Sequence, residues 1–269
     1  MIQSGNKEDV YALIQEVKQR STQYVTNYFI DQEKLSVWLA GGLFYYLAGE
    51  HGVLFFRKDR DFYHLYYSAV SLQGLGQLLA MQLPTEVIVT DLIGKKQDVE
   101  VLQGIFAQAG YLPRITMDRF TRINKEGTEN YQPSGEVVFA GAEHIAQVSE
   151  MMDTNFDKYS DQIYTLQEVA ELVNKKNILV VTDGPNIKGF LIRHILPQSS
   201  VLNNFLVKET YRGEKIGSKL LKHYIHESRN TKRLWLWVVS DNDHAINVYK
   251  SHGFAHDGLV DLVMIKNHG

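Results

Sequence analysis

Apolar residues along this chain alternate or cluster in short runs separated by stretches of helical period, and that order occurs twice. In the second half, Val137 to Ala140 reads as a short strand, and Ala142 to Met152 as a helix with Ile145, Val148 and Met152 on one face. Thr165, with Glu168 three residues on, is a capping-box signature opening a helix that carries Leu166, Val169, Ala170 and Val173. Strands are predicted at Ile178 to Thr182, Lys188 to Ile195 and Val201 to Val207. Next comes a helix bearing Ile216, Leu220, Leu221, Tyr224 and Ile225. The strand Leu234 to Val239, a short helix from about Asp243 to His252 stopped by Gly253, and a strand near Leu259 to Ile265 complete the half.

The first half repeats these landmarks. Leu43 to Leu47, Val53 to Arg57 and Phe62 to Tyr67 read as strands, Gly74-Leu-Gly76 precedes a helical run from Gln77 to Met81, and Glu86 to Thr90 is a strand. A helix then ends in Phe106-Ala-Gln-Ala-Gly110-Tyr111, which lines up with Tyr249-Lys-Ser-His-Gly253-Phe254 at an offset of about 143 residues. Between Ile123 and Glu136 runs the one long stretch rich in turn formers and without apolar periodicity, the natural linker. It divides the chain into domains at 1–127 and 134–269. The pattern reads as an internal duplication with one degenerate half; two α+β domains of generic element order are the alternative.

Composition narrows the function without naming it. The 269 residues carry 28 Lys+Arg against 31 Asp+Glu, a formal charge of −3, which excludes a strong polyanion binder and, with it, a nucleic-acid partner. With 44% hydrophobic and 22% charged residues, the chain is of ordinary globular type. Zero cysteines exclude disulfides, thiolate metal sites and a cysteine nucleophile. The N-terminus lacks an export signal, and no run approaches the roughly 18 apolar residues of a membrane span, so a cytoplasmic protein without membrane association is expected.

Two segments carry candidate chemistry. In Val207-Lys-Glu-Thr-Tyr-Arg212-Gly213-Glu214-Lys215-Ile216-Gly217-Ser218, a strand end passes through a glycine-bearing loop into a helix. The first turn of a helix leaves backbone N–H groups unpaired and carries about half a positive charge, which suits a phosphate. Arg212 adds a forked, charge-assisted donor. The second segment is Asn242-Asp-His-Ala245-Ile-Asn-Val-Tyr249-Lys-Ser-His-Gly253-Phe254. Asn242 stands at a strand-to-helix junction, where its side chain either caps the helix or meets an amide-bearing ligand. Tyr249 is either a packed aromatic or a proton donor.

Together, in this order, the two segments resemble the GNAT acyltransferase superfamily, whose hallmarks are an Arg/Gln-x-x-Gly-x-Gly/Ala loop and an Asn-x-x-Ala-x-x-x-Tyr-x-x-x-Gly-Phe segment. The resemblance covers roughly residues 136 to 269. It implies an α/β (α+β) fold with tandem GNAT-like domains, each a mixed, mostly antiparallel sheet flanked by helices. It also implies acetyl-CoA as co-substrate, its pyrophosphate held by the amides of about Gly213, Glu214, Lys215, Ile216, Gly217 and Ser218. Its pantetheine would pair like a strand against the end of Phe205-Leu206-Val207 where two strands splay, with Asn242 and Ala245 beside it. Tyr249 would protonate the departing thiolate. A phenol titrates near 10 and a thiol near 8.5, so a tyrosine within hydrogen-bond reach can share its proton with the sulfur. A backbone N–H near Phe205 or Leu206 would stabilise the oxyanion.

Lys215 departs from the family pattern, standing where the first loop glycine belongs. A left-handed conformation there would cost a lysine coenzyme affinity; ordinary helical angles, the favoured expectation, would retain the amide and let the ammonium help. In the first half Phe106 replaces the tyrosine, Val99 falls near the asparagine position, and Ser71-Leu-Gln-Gly74-Leu-Gly76 begins without an arginine. That half is expected to lack its own active site and to brace the catalytic half, close one side of the acceptor cleft, or form a homodimer contact. Its clusters Phe44-Tyr-Tyr46 and Phe62 to Tyr67 read as strand core.

Family precedent places the acceptor near Asp153 to Tyr164, Arg193, His194 and Asn203-Asn204. Aspartates 153, 157 and 161 either attract a cationic amine or belong to a solvated loop; His194 or a water chain is the remaining base. His223-x-x-His226 and His252-x-x-x-His256 each lack an obvious third ligand, so no metal is expected. Lys215, Lys219, Lys222, Arg229, Lys232 and Arg233 form a basic stripe around the proposed phosphate site. The expectation is an N-acetyltransferase acting on a primary amine of a small molecule or protein, by direct attack in a ternary complex. The alternative is a non-catalytic acyl-CoA sensor or interaction module.

Overall fold

The computed structural model describes residues 1–30, 32–124 and 135–267; most of the expected linker lies outside them. The described chain divides into two compact units, one formed by Met1–Thr116 with the chain from Leu259 onward, the other by Met117–Gly258. The elements are β1 (Ile2–Gln3), α1 (Lys7–Arg20), β2 (Val25–Thr26), α2 (Gln32–Ala40), β3 (Phe44–Gly49), β4 (Gly52–Asp59), β5 (Phe62–Ala69), α3 (Leu72–Leu79), β6 (Val87–Lys95), α4 (Lys96–Gln108) and β7 (Leu112–Ile123). They continue as β8 (Val137–Phe139), α5 (Ile145–Asn155), α6 (Leu166–Asn174), β9 (Ile178–Asp183), β10 (Asn186–Ile195), β11 (Ser199–Val207), α7 (Ile216–Glu227), β12 (Arg233–Val239), α8 (Asp243–Ser251) and β13 (Ala255–Lys266). This is a mixed α/β fold with mostly antiparallel strand pairs.

In the second unit β8, β9, β10 and β11 run antiparallel in that order, β11 pairs parallel with β12, and residues 117–123 of β7 close the far side of β12. The sheet alternates. Leu179, Val181, Leu191, Leu202, Leu234 and Leu236 face α7 and α8, whereas Ile178, Val180, Phe190 and Ile192 face α5 and α6. The expected helix over 142–152 is a 3-10 turn at Ala142–His144 followed by α5. Thr165 and Glu168 make the capping box reciprocally, as the spacing predicts.

The first unit repeats the plan. β3, β4 and β5 form an antiparallel meander, β5 pairs parallel with β6, and residues 259–266 of β13 close the far side of β6. Phe106 in α4 and Tyr249 in α8 occupy matching places. Each is buried and followed by a glycine in the left-handed region, Gly110 at φ +84 and Gly253 at φ +83, then by a buried aromatic, Tyr111 or Phe254. One expectation changes: Gly74 and Gly76 do not precede the helix but lie within α3, because Ser71 caps it, its side chain accepting from the Gly74 N–H at 3.0 Å.

Candidate active site

The parallel pairing of β11 with β12 covers only Ser199–Leu202 against Arg233–Leu236, after which the two strands separate. Asn203–Val207 keeps β10 on one side, and among the described residues no strand pairs with its other edge. Such an edge offers a row of peptide groups to an extended, amide-bearing ligand. At the point of separation the register against β10 slips by one residue, Ile192 facing Asn204 and Arg193 facing Leu202, which is a β-bulge at Asn203.

Phe205 joins the two sequence segments. A Cβ placed on Gly217 would lie 3.3 Å from Phe205 Cζ and 3.6 Å from Val207 Cγ2, so the first turn of α7 packs closely on β11 and a larger residue would press on the Phe205 ring. The same Phe205 ring has its centroid 6.3 Å from that of Tyr249, which in turn meets Phe254 at 6.0 Å. The start of α7 and the phenol therefore share one wall, on one side of the unit. Burial pushes the Tyr249 phenol up, with Tyr224 adding to the rise, so the group stays protonated at neutral pH.

Lys215 corrects the sequence reading. It has φ 60 and ψ 19, left-handed rather than helical, at the N-cap of α7, and gives no side-chain cap. The first amides of α7 thus remain without the Ser71-type lid that closes α3. Open space surrounds the Cβ position of Gly213, φ +94, in the preceding turn. Around this turn Arg212 pairs with Glu209 at 3.1 Å, Glu214 with Lys188 at 3.0 Å, and Lys219 pairs with Glu136. Ser218 Oγ lies 3.0 Å from His252 Nε2, and His252 Nδ1 lies 2.8 Å from the Val248 carbonyl. The carbonyl requires a proton on Nδ1, and the Ser218–His252 hydrogen bond ties the end of α8 to the start of α7. Neither partner's spacing signals this link in the sequence.

Asn242 caps α8, its Oδ1 accepting from the Ala245 N–H at 3.1 Å, which leaves the amide nitrogen as its donor toward a ligand. Of the acceptor candidates, Tyr164, His194 and Asn203 come together: Tyr164 Oη lies 2.8 Å from His194 Nε2 and receives Asn203 Nδ2 at 3.0 Å. Arg193 does not join them. It is buried on the opposite face of the sheet, 3.9 Å from Glu227 and stacked over Phe139. Asp157 and Asp161 brace their own loop, Asp161 Oδ2 accepting from the Asp157 N–H and Asp157 Oδ1 from that of Tyr159.

The first unit has the same strand separation but fills it. β5 pairs with β6 only at Phe62–His64, and beyond that β2 adds to its edge, Val25 facing Ala69 and Thr26 facing Ser68. Asn27 stitches the gap, donating from Nδ2 to Leu65 O, Thr90 Oγ1 and Asp91 O and accepting from the Tyr67 N–H at 2.7 Å. The chain supplies its own strand where the second unit leaves an open edge.

Residues 145–254 match the model of the acetyltransferase (GNAT) family. Over 72 residues the chain is 35% identical to spermine/spermidine N(1)-acetyltransferase of Bacillus subtilis, covering 24% of this chain and 47% of that protein, so it spans about half the length of the curated relative it matches. The GCN5-related N-acetyltransferase from Sphaerobacter thermophilus has a TM-score of 0.57 at 13% identity, covering 87% of this chain and 84% of that one. A tandem GNAT protein from the clavulanic acid biosynthesis pathway has a TM-score of 0.50 at 10% identity, covering 84% of each. Residues 145–254 therefore carry a GNAT acetyltransferase-family domain, in a chain whose N-terminal half is GNAT-like in structure as well.

Proposed function

We propose that the second unit transfers an acetyl group from acetyl-CoA to a primary amine of a small molecule or protein, by direct attack of the amine on the thioester. The observation that supports this most is the Phe205 ring, which stands against Gly217 at the start of α7 and beside Tyr249. A ligand whose diphosphate meets the α7 amides and whose extended arm follows the Asn203–Val207 edge has its far end beside that phenol. The residues fit such a ligand: uncapped amides at Lys215 to Ser218, open space at Gly213, and an unpaired strand edge. Among the described residues, no helix is long and apolar enough to cross a membrane.

Bound there, acetyl-CoA supplies the activated carbonyl and the thiol leaving group. Tyr249 hydrogen-bonds the sulfur and yields its proton as the C–S bond breaks. Its raised pKa makes it a weak acid but keeps the proton available across the neutral range. A backbone N–H at Phe205 or Leu206, whichever points to the open edge of β11, meets the developing oxyanion. The first unit, with its slot filled and Phe106 in place of the phenol, is assigned a non-catalytic role.

Thiol release from acetyl-CoA is the test. Tyr249→Phe should lower kcat by about 10- to 100-fold and change coenzyme affinity little. Wild-type rates across pH in that variant would remove the tyrosine from the mechanism. Thermal stabilisation by acetyl-CoA without turnover on any amine would favour the sensor, a reading in which the strained Lys215 has a place.

A further inference from the structure

We propose that Tyr164 and His194 form the proton relay that deprotonates the incoming amine, with Asn203 as its positioning residue; this rests on the acyl-transfer reading above. The hydrogen bonds set the direction. Asn203 Nδ2 can only donate, so the Tyr164 oxygen accepts from it at 3.0 Å, which leaves the phenol's own proton for His194 Nε2, 2.8 Å away, when that nitrogen is unprotonated. In the relay His194 Nε2 is the lone-pair partner, the form in which it can receive a proton.

The position is that of a base. Asn203 is the bulged residue immediately after the last β11–β12 pair, at the throat of the strand separation. Phe205, beside Tyr249, stands two residues further on, about 7 Å along the strand. A group that takes a proton from nitrogen and one that gives a proton to sulfur must flank the same carbonyl; Tyr164 packs on the α5 and α6 side of the sheet and Tyr249 on the α7 and α8 side, so the two would reach it from opposite faces of the strand separation. Tyr164 is 4% exposed, and burial raises its pKa well above the ordinary phenol value, so it does not hold a negative charge. It passes a proton instead. An N–H bond of the substrate ammonium breaks as an O–H bond forms at Tyr164, while the original phenol O–H breaks and Nε2–H forms. The products are a neutral amine, a neutral phenol and an imidazolium. His194 is only partly buried, near the exposed end of β10, and returns the proton to solvent.

The charged groups around the relay do not replace it. Glu168, on α6, is held by the N–H and hydroxyl of Thr165, and Asp161 is engaged by the Asp157 N–H. Arg193, adjacent in sequence, faces Glu227 across the sheet. The β11 residues at the throat, Asn203 and Asn204, are uncharged.

His194→Gln keeps an acceptor for the phenol but cannot bind the proton, and Tyr164→Phe removes the link. With spermidine and with an alanine-terminated peptide as acceptors, both variants should lose about 100-fold in kcat near neutral pH while keeping the wild-type KM for acetyl-CoA. In His194→Gln the acid limb of the pH profile should move to the acceptor's own amine ionisation, and the deficit should close as the pH approaches it. Wild-type transfer with unchanged rates and profiles in both variants would overturn the relay alone. Absence of transfer by the wild-type protein to either acceptor, despite coenzyme binding, would overturn the acyl-transfer reading and the relay with it.

Discussion

Replacing Lys215 by glycine separates two effects that the loop combines. At φ 60 and ψ 19 the lysine holds a left-handed conformation that costs a residue with a Cβ about 1–2 kcal/mol. Glycine removes that cost but adds about 0.5–1 kcal/mol of conformational entropy to the unfolded chain. The net expectation is a gain of about 0.5–1 kcal/mol, or about 1–4 °C in melting temperature for a protein of this size. Coenzyme binding should move the other way. Loss of an ammonium at the mouth of the α7 amides weakens attraction for a diphosphate by a few-fold at low salt, and the difference should fade as salt screens it. Lys215→Asn is the control, since asparagine tolerates the left-handed region without charge. Calorimetric titration of coenzyme A at two salt concentrations, with scanning calorimetry of the free proteins, measures both effects. A glycine variant destabilised by 1 kcal/mol or more would refute the strain argument. Coenzyme affinity unchanged at low salt in both variants would refute the placement of the diphosphate.

Three further outcomes are expected. Gly217→Val drives a branched side chain into Phe205, an overpacking of about 1–3 kcal/mol, and should lower coenzyme A affinity at least tenfold in calorimetry; full affinity would argue against the loop assignment. Coenzyme A should titrate to one equivalent per chain, because β2, Asn27 and the Ser71 cap occupy the first unit's slot, whereas two equivalents would contradict that closure. Burial, with the Asp91 carboxyl adding, holds the Asp261 carboxyl well above its ordinary range. Folding thus favours the protonated acid, and the stability it contributes is complete below the unfolded value near pH 4 and lost as pH rises through the folded one. Asp261→Asn should accordingly raise the melting temperature at pH 8 and leave it little changed at pH 4. No gain at pH 8, or an equal gain at pH 4, would refute this.

Elements whose burial follows one clean period were legible in the sequence. β9 and β10, α6 with its capping box, and α7 were read near their observed limits. β7 was not, because its two buried residues, Met117 and Phe120, stand three apart, which breaks the alternation, and Arg114, Asp118, Arg119 and Arg122 dominate its composition. α1 buries only Val10 and Val17, too sparse a stripe to outweigh its charged residues. At the site, Tyr249, Asn242 and the α7 loop were legible as motifs, since their spacing along the chain is local. The left-handed turn at Lys215 was not, because residue type seldom predicts positive φ outside glycine. Nor were the Tyr164–His194–Asn203 contacts or the Asn27 stitch, which join residues from separate elements through tertiary approach alone.

The strand that closes the first unit comes after the whole of the second, paired from Leu259 to Lys266 against Lys95 to Ile88. During synthesis β6 must therefore wait with one edge open until β13, more than 160 residues later, has been made. The second unit needs only β7, which is already present, and can assemble while β6 is still exposed. The half that is made first is consequently the one completed last. Cutting the chain at the linker would not release two foldable halves, since each fragment would retain the closing strand that the other requires.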